Sequence, residues 1–438
     1  MGKFAIIFLL TFIGGIIATL AIDASWGVCV WILEYFFHPQ IRWWYQQLPD
    51  LRYSFLIILC LLLSYFIRRK KYSRNRLRDL PQTKWILAML AMCGLIYFWA
   101  AWQEMHLQFL IAYAKLILIV GVVYKVIDTP AKFERVLWAY MLGGLYIGFL
   151  AYSSGRTWGG RLEGIGLADG MDVNAISAAV VAIIPIAIYY MFFEEKLLLR
   201  GVSVVMLAFM LNMLILANSR GAFLGLVGSS GYYFFRMYVS PIPGKDKKIL
   251  QMILFACCGV GLFLYLADES FWARMSTLSE ATDQATAKAG RTFFWLKTFD
   301  LVKMHPFGVG IWGYQYLSPE FIPPEMLTVG EFGARRAVHS TIFQSLAEYG
   351  YIGIPLAGGM ILSNFIYMWR VEKYLLKESM YTLYLKAISI ESAFVAFLIA
   401  SLFIDLLHAQ TMYIDMVLIA CFGNIYMIQK QRNGSETN

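Results

Sequence analysis

The sequence predicts an all-α polytopic membrane protein with about 12 transmembrane helices, single-domain over 1–438, and one large outside loop carrying amphipathic helices. Three observations predict it. Of the 438 residues, 60% are hydrophobic and only 15% charged, where soluble domains average about 25% charged. Apolar runs of the roughly 17–25 residues needed to cross a bilayer recur along the whole chain. The basic residues are gathered into alternate connections between those runs.

The expected spans are 4–22, 52–67, 84–101, 107–127, 133–151, 173–193, 198–217, 221–239, 249–267, 341–369, 385–407 and 411–429. The first follows Met1-Gly2-Lys3 and is longer than the ~7–15 apolar residues of a signal-peptide core, so it reads as a retained anchor. The run 52–67 is short, and 38–51 is expected to extend it. The apolar stretch 26–37 is too short to cross. With Trp43, Trp44 and Tyr45 as headgroup-level aromatics, 23–51 reads as a re-entrant or periplasmic segment. The six cysteines all fall in apolar stretches without metal-ligand spacing and read as packing thiols.

Placing both termini in the cytoplasm puts Lys3, the run Arg68 to Lys84, Lys125, Lys132, Arg135, Lys196, Arg200, Arg236, Lys245, Lys247, Lys248, Arg370, Lys373, Lys377, Lys386, Lys430 and Arg432 inside. These are most of the 37 basic residues, so the formal charge of +9 is a topology signal beside anionic lipid and implies no nucleic-acid partner. Two polar excursions then face the periplasm, 152–172 and 268–340. Within the second, Phe294, Leu301 and Val302 alternate with polar residues up to His305-Pro306, the pattern of an amphipathic surface helix. The preceding "ATDQATAKAG" is small and polar. A long external segment is where function concentrates.

On this topology all five histidines lie near the outer face, as do Arg156, Arg161, Arg220, Arg274, Arg291, Arg335 and Arg336. Arg220 stands in a hinge of a few residues between two spans, with no loop to escape into. A charge near hydrocarbon costs about 2.5–3.5 kcal/mol at mid-helix, tolerable if the side chain meets an anion in a wet cavity. Gly221 and Gly225 suit a close helix contact. Lys115 is the main charge expected within the spans. If 339–353 is one helix, His339, Phe343, Leu346, Gly350 and Gly353 share a face, with a protonatable imidazole above a glycine seam.

Arg220-x3-Leu224 together with His339-Ser340-x9-Gly350-x-x-Gly353 resembles the paired motifs of the O-antigen ligase and polymerase superfamily. The Arg291 to Gly310 segment, ending "HPFGVG", is similar to that family's external loop. The resemblance is specific over about 215–357 and, in the amino-terminal half, rests only on the pattern of spans. It implies a type C-like, metal-independent glycosyltransferase of the bacterial inner membrane, without cofactor, its active site facing the periplasm. The donor would be a glycan on undecaprenyl pyrophosphate and the acceptor a lipid A-core or another glycan. Carried over by position, Arg220 and Arg291 hold the pyrophosphate and His339 activates the acceptor hydroxyl, while Arg161, Asp172, Asn174 and Glu348 contact glycan or acceptor. A repeat-unit polymerase and a protein O-glycosylation ligase share this donor chemistry. A lipid-linked sugar flippase or transporter is the reading from another class; it would place charges deep in several spans.

Overall fold

The computed structural model describes residues 2–156, 162–266, 272, 291–330 and 332–436. Each expected span holds a helix. Before the external segment come α1 (Lys3–Ala21), α2 (Ser25–Phe37), α3 (Tyr53–Ile67), α4 (Pro81–Ile96), α5 (Gln103–Val126), α6 (Pro130–Ser154), α7 (Val173–Phe193), α8 (Leu197–Ala217), α9 (Arg220–Val239) and α10 (Lys245–Leu266). The external segment contributes α11 (Arg291–Met304), α12 (Gly313–Phe321) and a hairpin, β1 (Thr328–Gly330) with β2 (Gly333–Arg335). Then follow α13 (Thr341–Tyr349), α14 (Gly353–Lys377), α15 (Tyr381–Ser401) and α16 (Gln410–Gly423), the last continuing through one π-helical turn to α17 (Gln429–Glu436). Among the described residues, eight helices are long and apolar enough to cross a membrane, α13 and α14 counting as one.

Side-chain burial sorts these helices into layers. The spanning windows of α7, α15 and the α16 run are 83%, 78% and 94% buried, against 22% for α1. Helices apolar on every side belong inside, and these three form the centre. The α9 glycines serve the close approach expected of them. A Cβ at Gly225 would lie 2.7 Å from the Ala396 carbonyl oxygen, and one at Gly221 3.2 Å from that of Ala400. Small residues thus let α9 lie against α15.

Several expectations about the membrane part need correction. The segment 38–51 extends no helix; it forms two 3₁₀ turns, Pro39–Ile41 and Tyr45–Gln47. Trp44 is buried against Phe8 at 5.4 Å rather than lying at headgroup level, whereas Trp43 is exposed. Cys257 and Cys258 are exposed on α10 rather than packed. Lys115, expected as the main charge within the spans, is exposed on α5, and other charges are more enclosed. Arg236 on α9 bridges Glu372 on α14 and, at 2.8 Å, Glu391 on α15, while Lys386 pairs with Glu134. Each of these acids finds a cation, which offsets the cost of removing it from water.

The larger correction concerns α2. It forms a 13-residue helix packed among α1, α3 and α6, where a re-entrant or periplasmic segment was expected. Its first turn lies where Asp23 pairs with Lys71 at 2.8 Å and Lys132 at 3.6 Å. Its far end lies where Arg42 donates to the Gly166 carbonyl at 2.8 Å. Consequently α1 begins on the opposite face: the Gly2 backbone N–H donates to Gln47. The other terminus lies with the basic connections, Gln429 donating to Asn75 at 3.1 Å. The two ends of the chain therefore lie at opposite ends of the helix bundle, and if α2 crosses the membrane they face opposite sides, against the expectation that both are cytoplasmic. An impermeant thiol reagent applied to intact cells should label Gly2→Cys but not Lys430→Cys, in a background lacking native cysteines. Equal labelling of the two positions would show that α2 does not traverse.

Candidate active site

The site begins with a broken helix. The stretch 339–353 is not continuous: α13 stops at Tyr349, Gly350 turns into the left-handed region at φ 67°, and α14 starts anew at Gly353. Gly350 and Gly353 therefore do not lie on one helical face with His339. The "HPFGVG" segment crosses at the break. Val309 N–H donates to the Ala347 carbonyl, Gly310 N–H to that of Glu348, and Tyr351 N–H to that of Pro306, each at 3.0 Å. Carbonyls orphaned at the end of α13 are thereby satisfied by another chain segment. A Cβ at Gly350 would meet the Pro306 oxygen at 2.1 Å, which is why glycine stands there.

The amphipathic helix expected after Arg291 forms as α11, with Phe294, Leu301 and Val302 buried. Trp295 stacks on Phe343 of α13 at 5.3 Å and 9° between planes. The external segment thus has a small core of its own, docked on the membrane helices.

His339 precedes α13 rather than forming its tip. Its φ is 56°, a region where histidine is one of the more tolerated side chains. The neighbouring backbone is clamped by the α15–α16 connection. Ser340 N–H donates to Asp405 Oδ1 at 2.8 Å, and the His339 N–H also bonds this carboxylate. Thr341 Oγ1 donates to the Ile404 carbonyl at 2.9 Å and accepts from Leu406 N–H at 3.0 Å, and Leu407 N–H reaches Gln344 Oε1 at 3.0 Å.

Asp405 was absent from the sequence-based set. Its signal was an acid inside the apolar run "SLFIDLL", which the expected span 385–407 absorbed; an ionisable residue there points to function. Enclosure pushes its carboxyl up to about 7, against the pull of the two backbone N–H donors and Arg291.

Arg220 and Arg291 come together as expected. Both line a small recess with Asn174, Ser219, Gly221, Ala400 and Phe403, and the Arg291 guanidinium lies 5.9 Å from the Phe403 ring centre. Arg220 opens α9, so its charge adds to the positive end of a helix dipole, the usual arrangement for an anion. Asp172 caps α7 by accepting from Asn174 N–H at 2.6 Å, and Ser219 donates to Asn174 Oδ1 at 3.1 Å. Asn174 is therefore recess wall, and Asp172 stands where it is felt by both Arg291 and His339. Arg161 lies outside the described residues, as does Arg274.

Beside the recess opens a cavity of about 750 Å³, lined by Asp172, Arg336, His339, Glu348 and Asp405 among others. His339 lines the cavity, and Arg291, which lines the recess, is near enough to act on it electrostatically. Burial, then the Arg336 and Arg291 charges, lower its imidazole from 6.5 to about 4, with Asp172 opposing. Arg336 is an unassigned arginine that the fold brings to the site, by way of a hydrogen bond to Thr328 at 2.9 Å. Glu348 lies on the cavity floor. Gln344 donates to its Oε1 at 3.0 Å, and Oε2 lies 3.6 Å from His408 Nδ1.

Chemically, the recess can hold an anion between two guanidiniums, and a neutral imidazole at the adjoining cavity can accept a proton. Residues 205–358 match the family model described as O-antigen ligase, a stretch that contains Arg220, Arg291 and His339. No curated protein matches the chain.

The clamp makes a testable demand. Asp405→Ala should lower thermal stability by about 1–3 kcal/mol by leaving enclosed N–H groups unpaired, whereas Asp405→Asn keeps an acceptor and should lose less. Equal melting temperatures for wild type and Asp405→Ala, by intrinsic fluorescence in detergent, would contradict the clamp.

Proposed function

We propose that this member of the O-antigen ligase superfamily is a metal-independent glycosyltransferase of the bacterial inner membrane. It moves a glycan from undecaprenyl pyrophosphate to an acceptor hydroxyl, that of lipid A-core in the reading we favour, at the periplasmic face. The observation that carries this is the adjacency of the two-arginine recess to His339. The face holding both is the one opposite the basic connections, and the positive-inside rule turns it outward.

In this reaction His339 takes the proton of the acceptor hydroxyl at a ring nitrogen. The acceptor oxygen bonds to the anomeric carbon while the bond from that carbon to the pyrophosphate oxygen breaks. Undecaprenyl pyrophosphate leaves with the electron pair. Arg220 and Arg291 stabilise the charge that develops on it, and their fork-shaped, permanently charged donors suit two linked phosphates. A base of pKa about 4 is neutral and ready at pH 7 but weak. A bound pyrophosphate offsets the arginine charges that depress it and raises its basicity when the donor is in place. After transfer the same surroundings help expel the proton.

The transporter reading draws less support: the paired charges Arg236, Glu372, Glu391, Lys386 and Glu134 are absent from the cavity lining. Purified protein given lipid-linked glycan with lipid A-core, nascent glycan and protein acceptors separates the three acceptor classes.

Arg220→Lys and Arg291→Lys should each lose most transfer, because a point charge does not reproduce the guanidinium fork. Full activity in both would reduce these positions to general electrostatics. For His339, general-base assistance is worth about 10²–10⁴-fold, so His339→Ala and His339→Gln should both lose turnover on that scale while donor binding survives. The base works unprotonated, so kcat/KM should fall as pH drops through the free-enzyme value of about 4. An acid limb near 7 that disappears in Asp405→Asn would transfer the profile to Asp405.

A further inference from the structure

Trp312 is a bulky aromatic in the left-handed region, at φ 66° and ψ −1°. Such a backbone is costly for a large side chain and persists only where its surroundings over-determine it; such residues cluster at ligand sites. Here the surroundings do so. Ile311 N–H donates to Nδ1 of the buried His106 at 2.9 Å, and the other ring nitrogen of His106 lies 2.9 Å from the Cys93 carbonyl. Ala101 N–H donates to the Val309 carbonyl at 2.9 Å, and Trp99 Nε1 to that of Gly308 at 3.2 Å. The turn ahead of Trp312 is therefore tied to both α5 and the α4–α5 connection.

What this strain achieves is the placement of an indole in the cavity wall. Trp312 stacks on Phe109 at 5.8 Å and 27°, and meets Phe332 edge-on at 5.9 Å and 79°. Its own side chain is only half-buried and lines the cavity with both rings. Glu348, Gln344, Asp405 and Asp172 also line it, so polar groups stand among the apolar wall residues. The Glu348 carboxyl, buried beside Gln344 and the Trp312 backbone N–H, gives the cavity a polar hydrogen-bonding group. Aromatic rings beside carboxyl groups match a pyranose, whose C–H face is apolar and whose rim carries hydroxyls. The volume of about 750 Å³ is within the roughly 300–1,000 Å³ of small-ligand sites.

We propose that the Trp312, Phe109 and Phe332 wall is a pyranose-binding subsite for the acceptor glycan, with Trp312 as the stacking ring. The assignment to acceptor rests on the function proposed above. Arg220 and Arg291 line the separate recess, so the cavity on the far side of His339 receives the molecule that brings the hydroxyl.

The test uses the full chain in detergent, with core oligosaccharide freed of lipid as the probe. In transfer assays Trp312→Leu should raise the acceptor KM about tenfold or more, and Trp312→Phe by less than about threefold. Donor KM and kcat at saturating acceptor should stay within about twofold, which also shows that the variants fold. An unchanged acceptor KM in Trp312→Leu, or a rise in donor KM instead, overturns the assignment. A second arm omits transfer. Saturation-transfer NMR should detect the oligosaccharide on His339→Gln and lose it on His339→Gln with Trp312→Leu. Equal signals in the two, or none in His339→Gln, overturn the subsite. Absence of turnover with every acceptor while this difference persists would overturn the transferase reading and leave the sugar subsite standing.

Discussion

The crossing of the 306–310 segment over the break at Gly350 is the constraint on which the site depends. Three backbone hydrogen bonds there join an external segment to the end of a membrane helix. Without that junction nothing would bring α11, with Arg291, or the turn bearing Trp312, to a defined place above the spans. The break does two things at once. It ends α13 where its carbonyls can be capped from outside, and it frees α14 to cross the membrane on its own axis. Glycine is required because the backbone turns left-handed with a second chain within contact distance.

A second clamp acts at the other end of α13. Asp405 and its neighbours in the α15–α16 connection bind the backbone around His339, so the short α13 is held at both ends by segments remote in sequence. This accounts for a strained His339: its conformation is enforced by hydrogen bonds at adjacent residues. The same enclosure that fixes the imidazole desolvates it, and the arginines around it lower its proton affinity further. Positioning and electrostatics are one arrangement here, since the cations that suit an anion also keep the nearby imidazole neutral.

The interior of the bundle follows the opposite economy. Arg236 with Glu372 and Glu391, and Lys386 with Glu134, are paired between the helices that carry them. The charged groups Glu348, Asp405 and Arg336 instead face the open space of the cavity. Membrane helices tolerate the first kind as glue and the second where a polar ligand or water reaches it.

The sequence by itself determined the helical class, a helix within each expected span, the amphipathic α11 and the candidates Arg220, Arg291 and His339. Apolar run length, charge placement and motif spacing are local quantities, and a bilayer of fixed thickness converts them directly into helices. Only the tertiary structure decided the rest. α2 is too short to register as a span, yet it packs lengthwise among neighbouring helices, and that put the start of α1 at the opposite end of the bundle from the carboxyl terminus. Asp405 was hidden in an apolar run because its partners are backbone N–H groups some sixty-five positions away. Trp312 carried no sequence signal at all, its significance residing in a backbone angle and in what His106 holds. The helix assumed through Gly350 failed because the capping that breaks it comes from another segment. Features set by neighbours along the chain were legible; those set by neighbours in space were not.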